Sequence, residues 1–256
     1  MKFHAGFDII KKHVYNSIYR KDIIMWLKKL YGTVAGSLLR FYIWLFYRPR
    51  LNFLGGELPH EPVIFASNHT GLLDGLIIVT GMWRMGRPVT LMAKEWFDIP
   101  LLKPIFEYSR CIPVKRTGVD TSWLRMSISS IKDGGHNFLI FPEGHTSRSG
   151  EIDTFQNGVL FLASKTGSQI VPIWHNPARI FFGTEIRVGE PMSLPDGFSV
   201  RTGDPETICN DLRDAVISLA PKKESSKGFG HFNKRKAIVF FVLAIILVAR
   251  FAGIFS

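Results

Sequence analysis

The chain has 256 residues, enough for one α/β domain of ordinary size with peripheral helices and too few for two large domains. Thirty-two Lys and Arg against 21 Asp and Glu leave a net charge of +11, which calls for a polyanionic partner, either nucleic acid or the anionic face of a membrane. Apolar residues make up 46%, with six Trp, 21 Phe and a mean hydropathy of +0.12, and no zinc-finger or RNA-recognition signature is present, so the expected partner is membrane phospholipid, with no nucleic acid.

In chain order, no cleavable signal is expected at the N-terminus, because the first apolar stretch is short and Lys28-Lys29 interrupt it before any small-residue cleavage site. Ile23 to Tyr47 is aromatic and aliphatic with basic breaks. It reads as one or two helices lying in a membrane interface rather than a clean span, since Arg40 would sit in mid-bilayer. An ordinary amphipathic core helix is the competing reading.

From 62 to 220, strands and helices alternate. Strands are predicted at Val63–Ser67, Val89–Ala93, Ile112–Val114, Phe138–Phe141, Ile170–Trp174 and Glu185–Val188. Helices are predicted at about Leu72–Met85, Ser122–Lys132, Gly158–Lys165 and Pro205–Leu219. That order implies an α/β fold, a mixed sheet flanked by helices. Cys111 and Cys209 match no metal spacing or redox pair, so two structural thiols in a reducing compartment are expected and no metal site.

Pro221 to Asn233 is polar and linker-like, and Lys234-Arg235-Lys236 leads into an apolar run from Ala237 to Phe255. Nineteen residues at about 1.5 Å each span roughly 28 Å, close to one hydrocarbon core, so this segment is predicted to be a C-terminal membrane anchor. Arg250 near its far end can reach the headgroups, and the basic triplet would stay cytoplasmic. An interfacial or core helix competes, because the uncharged run before Arg250 is short. The predicted organisation is 1–50 membrane-interacting helices, 51–220 catalytic domain, 221–236 basic linker and 237–255 hydrophobic membrane segment, bound to the cytoplasmic face of a membrane.

Three segments carry chemistry. Asn68-His69-Thr70-Gly71-Leu72-Leu73-Asp74 follows a buried strand and opens a helix. Five residues of regular helix rotate by about 140°, so His69 must lie in the turn before the helix with Asp74 reaching back to it. The carboxylate would then fix the imidazole tautomer while the other nitrogen takes a proton from an attacking hydroxyl. Eight histidines give roughly 0.3 such His-x4-Asp pairs by chance, so a structural His–Asp pair competes and context must decide. The second segment, Phe141-Pro142-Glu143-Gly144-His145-Thr146-Ser147-Arg148, ends a strand in a loop suited to a phosphate oxyanion, with Arg148 as the donor fork and Glu143 holding a basic residue or an acceptor hydroxyl. The third, Ile112-Pro113-Val114-Lys115-Arg116, delivers two cations at a strand end, where Arg116 could meet an acceptor phosphate; a solvated strand end is the alternative.

Together these segments resemble the glycerolipid acyltransferase family typified by bacterial 1-acylglycerol-3-phosphate acyltransferase. The family's Asn-His-x4-Asp stands here as Asn68-His69-x4-Asp74, its arginine-ended strand as Ile112 to Arg116, its Phe-Pro-Glu-Gly as Phe141 to Gly144, and its Val-Pro-Ile as Val171-Pro172-Ile173, while Ala93-Lys94-Glu95 resembles its lysine segment. The resemblance implies that His69 and Asp74 are catalytic, as base and orienter, and that Asn68, Lys94, Arg116, Glu143, Gly144 and Arg148 bind substrate. It further implies an acyl-CoA or acyl-carrier-protein co-substrate, no resident cofactor, and a lysophospholipid acceptor, with 1-acyl-glycerol-3-phosphate giving phosphatidic acid. Two departures widen the range of acceptors. His145-Thr146-Ser147 replaces the family's Thr-Arg-Ser, and Phe155-Gln156-Asn157-Gly158 replaces its basic Phe-Lys-x-Gly. Another lyso-lipid, such as a lyso-ornithine lipid, or a non-catalytic lipid-binding protein stays open. No nucleophile elbow, phosphate loop, dinucleotide fingerprint or His-Glu-x-x-His site is present.

Overall fold

The computed structural model describes residues 2–115, 121–147 and 151–221, with only the helical backbone from 2 to 20. The linker and anchor predicted for 221–236 and 237–255 lie outside the described residues, apart from Pro221, as do Arg116 and Arg148.

Seven strands form one mixed sheet, β1 (Pro49–Phe53), β2 (Ile64–Ser67), β3 (Val89–Ala93), β4 (Cys111–Val114), β5 (Phe138–Ile140), β6 (Ile170–His175) and β7 (Thr184–Val188), in the order β1-β7-β6-β2-β5-β3-β4. All neighbours run parallel except β6 and β7. β2 and β5 are buried along their whole length, which is why they read as unbroken apolar runs in the sequence. Their side chains still alternate. Ile64, Ala66, Phe138, Ile140 and Ile170 pack on one face against α5 (Ser122–Lys132), α6 (Gly158–Thr166) and α7 (Pro205–Ser218), while Phe65, Leu139, Val171 and Ile173 pack on the other against α2 (Asp74–Gly81). The result is a three-layer α/β/α arrangement.

Local signals set the helix ends. Asp204 caps α7 by accepting from Thr207 N at 3.2 Å, with Pro205 at the first position, and Gly167 closes α6 at φ +74°.

The N-terminal segment is one helix, α1 (Lys2–Tyr47), 46 residues long. Its inner face is core: Ala35, Ile43 and Tyr47 are buried with Leu76 and Ile77 of α2 and with Ile105 and Phe106 of α4 (Lys103–Tyr108). A Cβ added at Gly32 or Gly36 would collide with Pro104 O or the Tyr108 ring, so these two glycines set the close approach of α1 to α4. The outer face leaves Trp26, Leu30, Leu38, Phe41 and Trp44 exposed. Arg40 is folded back, its guanidinium 4.1 Å from the Trp83 ring centroid, which answers how a cation sits in so apolar a helix. None of the described helices is long and apolar enough to cross a membrane.

Sequence reading missed three elements, β1, α3 (Lys94–Phe97) and α4, and the predicted boundary at 50/51 falls inside β1. It also began α2 two residues early and ran it through to Met85, where the structure has a separate 3-10 turn over Trp83–Met85.

Candidate active site

Because β2 to β6 are mutually parallel, their C-terminal ends lie along one edge, and the loops that follow β2 and β5 face each other there. Between them opens a cleft of about 1090 Å³ lined by His69, Lys115, Gly144 and Thr146 and by apolar side chains that include Leu91, Met92 and Trp123.

His69 sits in the turn and Asp74 is the first residue of α2, as the five-residue spacing requires. His69 Nδ1 lies 3.1 Å from Asp74 Oδ2, and the same oxygen accepts from Thr70 N and Gly71 N, each at 2.6 Å. The turn thus wraps its own N–H groups around a carboxylate that is 1% exposed, while the His69 side chain remains 20% exposed. Burial pushes the Asp74 carboxyl up, but the pull of His175, of His69 and of the Gly71 N–H outweighs it and holds the group below the usual carboxylate range. With Asp74 accepting at Nδ1, the bare nitrogen of a neutral His69 is Nε2. That nitrogen lies on the cleft side, 3.5 Å from Thr146 Oγ1, and the ring stacks on Phe141 at 4.2 Å and 21°. This is the arrangement a general base needs.

The other sequence-predicted residues divide. Asn68 is buried, and both ends of its amide go to the main chain of His175: Oδ1 accepts from His175 N at 2.9 Å and Nδ2 donates to His175 O at 3.1 Å. Glu143 is 1% exposed, and its carboxylate accepts from His69 N at 2.8 Å and from Asp153 N at 3.2 Å. Neither side chain is offered to a substrate; each ties one catalytic loop to another. Gly144 lines the cleft at φ +73°, where a Cβ would meet the Gln156 amide. Lys94 stands apart, outside the cleft lining, with its ammonium 2.5 Å from Asp98 Oδ1. Among the described residues the one Lys or Arg lining the cleft is Lys115, next to the undescribed Arg116.

Two residues were not singled out from sequence. Gln156 donates to Glu143 O at 3.3 Å, a role hinted at by its place in the departing Phe-Gln-Asn-Gly stretch. His175, at the end of β6, is 1% exposed with Nε2 3.5 Å from Asp74 Oδ2; nothing in Trp174-His175-Asn176 signals this, because the contact is made 101 positions away in sequence, between 74 and 175.

The family model described as Acyltransferase matches residues 50–176. The chain is 29% identical over 152 residues to a 1-acyl-sn-glycerol-3-phosphate acyltransferase of Cocos nucifera, covering 56% of this chain and 46% of that one. It is 28% identical over 161 residues to a chloroplastic 1-acyl-sn-glycerol-3-phosphate acyltransferase of Arabidopsis thaliana, covering 60% and 41%. To a lyso-ornithine lipid O-acyltransferase of Pseudomonas aeruginosa it is 26% identical over 121 residues, covering 47% and 45%. The chain thus spans under half the length of these three relatives. In fold it is similar to the crystal structure of the 1-acyl-sn-glycerophosphate acyltransferase PlsC from Thermotoga maritima, with a TM-score of 0.53 at 20% identity over 75% of this chain and 76% of that one. The matched segment runs from β1 to the end of β6 and holds the His69–Asp74 turn and the Glu143 loop, so the sequence comparisons support the glycerolipid acyltransferase family, and the solved structure shares the fold.

Proposed function

We propose that this protein transfers a fatty acyl group from an acyl thioester, acyl-CoA or acyl-carrier protein, to the free hydroxyl of a lysophospholipid, with 1-acyl-glycerol-3-phosphate as the acceptor and phosphatidic acid as the product. One observation carries the reading: the His69 ring is fixed through Nδ1 on buried Asp74 and turns Nε2 to a cleft of about 1090 Å³. The acceptor hydroxyl gives its proton to His69 Nε2 as its oxygen attacks the thioester carbonyl. The tetrahedral intermediate then expels the thiolate, which takes that proton from His69, so no protein nucleophile and no cofactor is consumed. Asp74 keeps the imidazole oriented and stabilises it while it carries the proton.

The apolar lining of the cleft suits an acyl chain, and Lys115, with Arg116 and Arg148, would meet the acceptor phosphate. The described part of the 141–147 loop holds no Lys or Arg, and one relative acts on a lyso-ornithine lipid, so that acceptor is the second reading. The exposed aromatic and aliphatic face of α1 would lie in the membrane interface, with the C-terminal apolar segment as an anchor, placing the protein on the cytoplasmic face.

The test offers full-length protein in mixed micelles both acyl donors with lysophosphatidic acid, other lysophospholipids and lyso-ornithine lipid. Wild type should acylate lysophosphatidic acid fastest, and folded His69→Ala should lose at least about a hundredfold. Near wild-type transfer by the His69→Ala protein would end the general-base mechanism, and no transfer to any acceptor would end the enzymatic reading.

A further inference from the structure

The mechanism above makes no use of His175, yet its surroundings are the more demanding of the two histidines at Asp74. The ring is sealed from solvent, and both nitrogens face main-chain carbonyl oxygens: Nε2 lies 2.9 Å from Asn68 O and Nδ1 lies 3.0 Å from Asn176 O. A carbonyl oxygen can only accept. A neutral imidazole has one bare nitrogen, so either neutral tautomer would aim a lone pair at a carbonyl oxygen from a ring that is 1% exposed. Only a ring with N–H on both nitrogens satisfies both contacts, and that ring is a cation.

A buried cation is tolerable only beside an anion. Among the described residues the carboxylate within 4 Å of a His175 ring nitrogen is that of Asp74, with Oδ2 3.5 Å from Nε2. Glu185 on β7 is closed on Arg187 at 2.8 Å, and Glu143 in the loop after β5 accepts from the N–H groups of His69 and Asp153. Asn68 then gains a purpose, since its amide grips the His175 main chain in both directions while its own carbonyl takes the ring N–H.

We propose that His175 is a buried imidazolium, the standing counter-charge of Asp74, and a positioning residue for the His69–Asp74 pair. The consequence for the reaction rests on the acyl-transfer reading. With His175 compensating the carboxylate, Asp74 stays ionised without a charged His69, and His69 is free to be neutral with its Nε2 lone pair available. During turnover the hydroxyl proton goes to His69 and on to the thiolate, while His175 keeps both of its protons.

The deciding measurement is ¹⁵N NMR at pH 7 on full-length protein in micelles with ¹⁵N-labelled histidine, the His175 signals being assigned by their loss in His175→Gln. Both ring nitrogens should appear as protonated, with N–H slow to exchange, and Asp74→Asn should turn the ring into a single neutral tautomer. A bare ring nitrogen on wild-type His175 overturns the proposal. In kinetics, His175→Gln retains a donor for Asn68 O without the charge, so kcat should fall at least about tenfold with the acceptor KM nearly unchanged; a wild-type kcat overturns the positioning role. Should the Gln variant fail to fold, assignment by His175→Asn keeps the NMR test decisive. A wild-type protein that acylates none of the lyso-lipids sinks the acyl-transfer reading and leaves the protonation result standing on its own.

Discussion

Replacing Glu143 with Gln separates two roles for the acidic residue of the Phe-Pro-Glu-Gly loop. If it contacts the acceptor, the variant should bind acceptor poorly and fold normally. The geometry says otherwise, because both carboxylate oxygens are used on main-chain donors, His69 N at 2.8 Å and Asp153 N at 3.2 Å, with the side chain fully buried. Hydrogen bonds to a charged acceptor contribute about 1.5–3 kcal/mol each, and a glutamine can keep only one as a neutral bond of about 1 kcal/mol. Its NH₂ group would face the second, part-buried N–H and could not accept from it. The net loss is about 2–5 kcal/mol, which for a domain of this size lowers Tm by about 4–20 °C. Freed from its anchor, the His69 main chain loses the alignment to its acceptor, so kcat should fall at least about tenfold. Thermal melts and steady-state kinetics in the same micelles read both quantities. A Glu143→Gln protein with wild-type Tm and kcat but a raised acceptor KM would refute the strut and restore the acceptor contact.

Three further outcomes are expected. Since Asp74 is held below the usual carboxylate range in the folded protein, its stabilisation is fully present above about pH 4 and is lost as pH falls through the lowered value; the stability gap between wild type and Asp74→Asn, measured by denaturant unfolding at several pH values, should not narrow between neutral and mildly acid pH and should close below. Lys115→Ala and Arg148→Ala should each raise the KM for a phosphate-bearing acceptor more than that for the acyl donor, and an equal rise for both substrates would count against a phosphate contact. Trp44→Ser and Phe41→Ser on the exposed face of α1 should each weaken sedimentation with anionic vesicles by about fivefold, roughly 1 kcal/mol of partial burial, without moving Tm; unchanged sedimentation would remove α1 from the membrane interface.

What the sequence made legible here follows the range over which each interaction acts. The strands β2, β5 and β6 announced themselves because a parallel central strand is apolar on both faces. β1 did not, because Pro49 to Phe53 is an edge strand with a half-exposed pattern that follows an aromatic helix without a break in composition. The five-residue step from His69 to Asp74 could be turned into geometry on paper, since both ends belong to one turn whose N–H groups close on the carboxylate. Lys94 looked equivalent within its motif, yet an i,i+4 partner at Asp98 takes its ammonium away from the cleft.

The largest gap between the sequence reading and the site lies in the residues that hold the pair. The family resemblance implies substrate contacts for Asn68 and Glu143, in keeping with polar residues in loops at strand ends. In the fold their partners are His175 and Asp153 or His69, brought together by strand order rather than by spacing, and a buried side chain whose every polar atom is bonded to main chain is not presented to a substrate. The motif residues therefore play two parts. His69 is presented to the cleft, while Asn68, Glu143 and Asp74 fix three loops from β2, β5 and β6 around it. That division predicts that replacing Asn68 or Glu143 impairs turnover although neither side chain touches what is turned over.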